Sequence, residues 1–166
     1  RDRDVTGVQT CALPISVSEL EEIVLRTAGI FSFPIAPDAA NELARRSRGT
    51  PRVANRLFRR VRDFAQVAGF EEITLALCKE SLEKMNVDTL GLDYTDHKYL
   101  LGIIERYNGG PVGVEALAAS IGEEVLTLED VYEPYLLQEG FIKRTARGRV
   151  ATEKAYRHLN IQVALF

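Results

Sequence analysis

From Val17 onward apolar residues return every three or four positions, and the pattern is interrupted by Gly29, Pro37, Gly49, Pro51, Gly69, Gly109, Gly110 and Gly140. A period near 3.6 predicts amphipathic helices, and punctuation this frequent predicts short ones that bury their apolar faces only by packing in small units. With 46% apolar residues in 166, the chain makes one ordinary domain or two small ones. No apolar run approaches the roughly 18 residues of a bilayer span. Two cysteines, Cys11 and Cys78, make neither a disulfide framework nor a zinc cluster. A reducing, cytoplasmic compartment and no metal chemistry are therefore expected.

Residues 1–16 stand apart. They lack an initiator Met, follow neither period and offer no apolar core for a signal peptide. The string resembles translated sequencing-adapter read-through, with a disordered tail as the alternative. On the first reading Cys11 is not native and whatever preceded Val17 has been cut away. The segment is left out of the fold.

Four helices are expected over residues 17–88. Ser18 and Glu21 form a capping box for the first, which Gly29 stops, and Pro37 with Asp38 opens the second, closed by Gly49. Thr50 and Pro51 start a long third helix with Val53, Leu57, Val61, Phe64 and Ala68 on one face, ending near Gly69. Thr74 caps the fourth. The stretch DTLGLDY, Asp88 to Tyr94, is a connection. Residues 89–162 then read as a helix capped by Thr95 or Asp96, a short helix around Leu117 and Ile121, a third from Thr127 to Gly140, two short strands around RTARGR and a last helix near Thr152. Three helices followed by a charged two-stranded hairpin is the layout of a winged helix. The fold class is mainly α.

A formal net charge of −3 conceals a segregated distribution. Between Arg45 and Arg62 there are eight arginines and no acid, and KRTARGR makes a second basic run from Lys143 to Arg149. Arg52 is the most informative of these. It falls just inside a helix start, where exposed N–H groups are already partly positive, so a permanent cation is disfavoured by roughly a few tenths of a kcal/mol unless an anion arrives. A phosphate suits both the guanidinium and those amides. The alternative is an ordinary surface arginine near Asp63 or Glu42. Arg56, Arg59, Arg60 and Arg62 are expected on a solvated or subunit-facing surface.

In the hairpin, Arg144 and Arg149 lie on the strand ends and Arg147 at the tip, with Gly148 supplying a positive φ. Such arginines make backbone phosphate contacts that ignore sequence. The helix before it, LEDVYEPYLLQEG, has four acids and no Arg, Lys or Asn to read base edges, which disfavours a winged-helix transcriptional regulator. Pro134 is expected to bend it. No G-x-x-x-x-G-K-[ST] loop is present, so this chain alone is not expected to hydrolyse ATP. His97, His158 and Cys78 are read as surface or core residues.

Three blocks together resemble the RuvB family of AAA+ motors that drive branch migration at Holliday junctions: RSRGTPRVANRLFRRVRDFA from Arg46, GGPVGVEALAASIGEE from Gly109, and TLEDVYEPYLLQEGFIKRTARGRVAT from Thr127. The resemblance implies a four-helix AAA+ lid domain over 17–88 and a winged-helix DNA-binding head over 89–162. It makes Arg52 the sensor arginine facing ATP phosphates, puts Pro51 near the base, and gives Arg144 and Arg149 DNA contacts. Val125 stands where the family usually carries a basic residue, so one such contact is expected to be lost or moved. The family further implies a homohexamer on duplex DNA, RuvA and RuvC as partners, and a large domain, absent here, that holds the P-loop and Mg.

Overall fold

The computed structural model describes residues 15–163, and the chain divides into two compact units at Lys84 and Met85. Within those residues no helix is long and apolar enough to cross a membrane. The adapter-like string, with Cys11, lies outside them except for Ile15 and Ser16, as do the last three residues.

The first unit is four helices: α1 (Val17–Ile30), α2 (Pro37–Arg45), α3 (Pro51–Val67) and α4 (Leu75–Lys84). Its core is built from Leu20, Val24, Leu43, Leu57, Phe58, Val61 and Leu82, all buried. A single parallel bridge, Ile35 to Ile73, ties the connection after α1 to the one before α4. Two ends differ from the sequence reading. The capping box at α1 is Ser16 with Glu19, not Ser18 with Glu21: the Glu19 N–H donates to Ser16 Oγ at 3.2 Å and the Ser16 N–H to Glu19 Oε2 at 2.9 Å. The S-x-x-E pattern occurs twice in succession, and it is the earlier one that starts the helix, with Leu20 and Val24 buried from its first turns. Gly29 does not end the helix. It lies inside the last turn, and Ser32 takes the left-handed position at φ 50° that closes the helix, with Phe33 N–H reaching Ala28 O at 3.1 Å.

The second unit is a winged helix. It contains α5 (Tyr94–Leu101), prolonged by a π-helical turn over Gly102–Arg106; α6 (Val114–Ile121); α7 (Val125–Thr127), running through a π turn over Leu128–Tyr132 into α8 (Glu133–Gln138); strands β1 (Ile142–Thr145) and β2 (Gly148–Ala151); and α9 (Glu153–His158). Asp93, not Thr95 or Asp96, caps α5, accepting from the Thr95 and Asp96 N–H groups at 2.9 and 3.0 Å. The expected bend at Pro134 takes the form of the π turn just before it: the proline sits in the first turn of α8, where its missing N–H costs no helical bond. The strands are antiparallel, with Arg144 opposite Arg149. Val112 adds a bridge to Arg149, exchanging N–H···O bonds of 3.0 and 2.8 Å with it. Gly148 is needed there. At φ 134° a Cβ would lie 2.3 Å from Val112 O. Tyr99, Leu100, Ile103, Leu117, Leu128, Leu136 and Phe141 fill the core.

The position of the first cap has a measurable consequence. Ser16→Ala is expected to lower stability by about 1 kcal/mol, whereas Ser18→Ala, at an exposed position inside α1, changes it by less than about 0.5 kcal/mol in denaturant titrations.

Candidate nucleotide and nucleic-acid contacts

Thr50 accepts the Val53 N–H at 3.4 Å, Pro51 occupies the first turn of α3, and Arg52 follows it, exposed. The two acids expected to neutralise Arg52 are otherwise engaged. Glu42 holds Arg46, at 2.6 Å, and Asp63 holds Arg62, at 2.9 Å. Arg52 has no acidic partner among the described residues. Arg59 and Arg62 cover the Phe31 ring, at 5.5 and 4.4 Å from its centroid, while Arg56 and Arg60 are exposed. Cys78 is core, its thiol pushed up to about 12 by burial and, secondarily, by Glu42. At that value it is a poor nucleophile.

The hairpin arginines are in three different situations. Arg147 is exposed at the tip with no acidic partner among the described residues, and Lys143 is exposed farther down β1, opposite Val150. Arg144 is 50% exposed and bonds Glu133 Oε2. Arg149 is largely covered, at 13%, with Nε 2.8 Å from Glu133 Oε1 and Nη2 2.9 Å from Glu129 Oε1. Placement on the strand ends did not reveal this covering, because both acids come from the preceding helix, at distances of 16 and 20 residues in sequence. Glu133 itself is fully buried and also accepts Tyr99 Oη at 2.7 Å. Burial would raise its carboxyl, but bonds from Arg149, Arg144 and Tyr99 outweigh that and hold it below the ordinary range. Arg149 is correspondingly raised by its bond to Glu133, and Tyr99 is raised by burial and by the same carboxylate.

The acidic helix thus turns Glu129 and Glu133 toward the wing. What it leaves exposed is Leu126, Asp130, Val131, Pro134 and Gln138, so the Gln138 amide, in the last turn, is its single uncharged donor for a base edge and no Arg or Lys accompanies it. Val125 packs against the core at the start of α7.

The same two units appear in known proteins. The family model of the RuvB AAA lid domain matches residues 15–88, and that of the RuvB C-terminal winged helix domain matches residues 89–160. The chain belongs to the RuvB family. Solved structures agree: the Thermotoga maritima RuvB Holliday junction branch migration motor is 52% identical with a TM-score of 0.85, and a substituted form of that protein is 51% identical at 0.86. Each match covers 90% of this chain and 50% of the Thermotoga chain, so the RuvB-type sequence here spans half the length of those relatives.

The Glu133 network makes a prediction about acid stability. Because the folded-state carboxyl lies below its unfolded value of ~4.3, its contribution is complete at neutral pH and disappears as pH falls through the folded value. Arg149→Ala removes the largest opposing hydrogen bond. It is expected to cost roughly 3 kcal/mol at pH 7 and to move the acid-unfolding midpoint to higher pH, both read by circular dichroism.

Proposed function

We propose that this chain is the nucleotide-sensing and DNA-contacting part of a RuvB-type motor that drives branch migration at Holliday junctions. The observation that carries this reading is that its exposed cations Arg52 and Arg147 lack acidic partners among the described residues, one at the start of a helix and one at the tip of a wing. An uncompensated guanidinium beside free helix N–H groups fits a phosphate of ATP, and Pro51 and Arg52 are the residues that would hold the nucleotide. ATP supplies the phosphoanhydride bond whose hydrolysis drives the motor. Arg52 reports its phosphate charge. The sequence has no P-loop, so hydrolysis, with its Mg, falls to the family's large domain, and this chain alone is inactive.

On the DNA side, Arg147 and Arg144 contact backbone phosphates, and Arg149, bonded to Glu129 and Glu133, meets DNA only by exchanging one of those partners. Contacts of this type give affinity without sequence preference, as a surface moving along duplex DNA requires. A homohexamer around the duplex, RuvA and RuvC as partners, and a cytoplasmic location belong to the same proposal.

Two substitutions separate the roles. In a full-length relative carrying this lid and head, Arg52→Ala is expected to suppress ATP turnover and spare DNA binding. Arg147→Ala in the present chain should weaken binding to unrelated duplexes alike and flatten the dependence of log affinity on log salt by about one. Unequal loss among duplex sequences would count for a regulator instead.

A further inference from the structure

The chain has two histidines, 61 positions apart, and both aim Nε2 at one oxygen. His97 Nε2 lies 2.7 Å and His158 Nε2 2.6 Å from Asp88 Oδ2. The other oxygen, Oδ1, accepts the backbone N–H groups of Leu90 and Leu92, each at 2.9 Å, which fixes the carboxylate plane and leaves Oδ2 to the imidazoles. The rings meet edge-on with centroids 5.9 Å apart, and Phe141 packs against His158 at 5.4 Å. Burial would raise the Asp88 carboxyl, but the bonds from His97, His158, Leu92 and Leu90 overcome it, so the group is an anion.

We propose that Asp88, His97 and His158 form a binding site for a divalent transition-metal cation of the zinc type. The donor set, two imidazole nitrogens and one carboxylate oxygen, is one that zinc takes with a solvent molecule as fourth ligand. The three donor atoms already lie within 4.8 Å of one another. Ligand atoms around zinc sit roughly 3.3 Å apart, as bonds of ~2.0–2.1 Å in a tetrahedron require, so each nitrogen-to-oxygen separation opens by about 0.6–0.7 Å when the ion enters. Side-chain exposures of 35%, 16% and 20% for His97, His158 and Asp88 give the ion an entry path and leave room for the solvent ligand. On binding, the Nε2 lone pair of each imidazole goes to the metal. The proton that Nε2 shares with Asp88 moves to Nδ1 through solvent, or is released if the ring was charged. Asp88 precedes α5, which carries His97, and His158 ends α9, so the ion would clip the first and last elements of the winged helix together.

The test uses the tag-free 166-residue chain, since a histidine tag would compete. Zinc chloride titrated calorimetrically at pH 7.5 is expected to bind one ion per chain and to raise the melting temperature. Cobalt(II) in its place should give the visible absorption bands of a four-coordinate centre. His97→Gln and His158→Gln should each weaken binding by roughly tenfold or more and abolish those bands, with folding of each variant checked by circular dichroism without metal. Nitrogen-15 spectra of the wild-type imidazoles supply a readout that needs no variant: stoichiometric zinc should shift both Nε2 resonances. Wild-type spectra unchanged by zinc, or affinity equal in wild type and folded variants, would overturn the site and leave the triad as a hydrogen-bonded clip.

Discussion

The winged helix is organised around one buried carboxylate. Glu133 stands at the start of α8 with no solvent contact, and burying an ion of its size costs several kcal/mol unless its oxygens are well matched by donors. Three are present: Tyr99 from α5, Arg144 from β1 and Arg149 from β2. These donors come from three separate elements, so the charge can be buried only when all three have assembled correctly. The interaction therefore specifies the angle of the wing more than it adds net stability. It also accounts for an arrangement that is otherwise unfavourable. Arg144 and Arg149 face each other directly across the hairpin, where like charges repel, and the shared carboxylate between them removes that repulsion.

The acidic character of the preceding helix follows from the same need. A helix that enters the major groove carries donors for base edges and tolerates the phosphate field. This one carries Glu129 and Glu133 four residues apart, both turned to the wing, and presents Leu126, Asp130, Val131 and, in its last turn, Gln138 outward, with no cation among them. The uncompensated positive charge of the hairpin is consequently at Arg147 in the tip and at Lys143 on β1. The division is electrostatic. One element of the unit is shaped by an internal salt-bridge network, and the next carries the uncompensated charge.

How far the chain could be read without coordinates depended on the range of the interactions involved. Features set within a few residues were legible: Thr50 and Pro51 at the start of α3, Gly69 and Gly140 after helices, and Gly148 in the hairpin. The apolar face of α3 was legible only in part, since Leu57 and Val61 are buried with Ala54, Phe58 and Ala65, whereas Phe64 and Ala68, expected on that face, are exposed. Local ambiguity produced the errors. Two overlapping S-x-x-E patterns made Ser18 look like the cap that Ser16 is, and three capping-type side chains within four positions, Asp93, Thr95 and Asp96, hid which one capped α5. Gly29 looked like a stop because nothing in the sequence marks Ser32 as able to accept a positive φ. What the sequence left out altogether was long-range pairing. Neither Glu133 with Arg149 nor His97 with His158 has a spacing that any local rule would single out, and their proximity is a product of the tertiary fold. Two histidines in a chain of this length gave the one available signal, since both would have to be accounted for by any site they served.

The arginines differ in what an arriving phosphate must displace. At Arg52 and Arg147 it replaces water alone, and at Arg52 it also relieves the repulsion between a cation and the positive end of α3. At Arg149 it must displace a carboxylate that already satisfies the guanidinium, so the net gain is the small difference between two charge-assisted bonds. Arg144, half exposed, can hold Glu133 with one nitrogen and a phosphate with another. The hairpin thereby combines cations that contribute affinity with cations whose main effect is to keep the loop in a fixed orientation. A polyanion gripped in this way is held firmly in register but not tightly, because only the uncompensated charges release counterions in full. In the DNA contact proposed above, that balance lets the surface let go as readily as it takes hold, and it arises directly from a glutamate placed where two strands would otherwise repel.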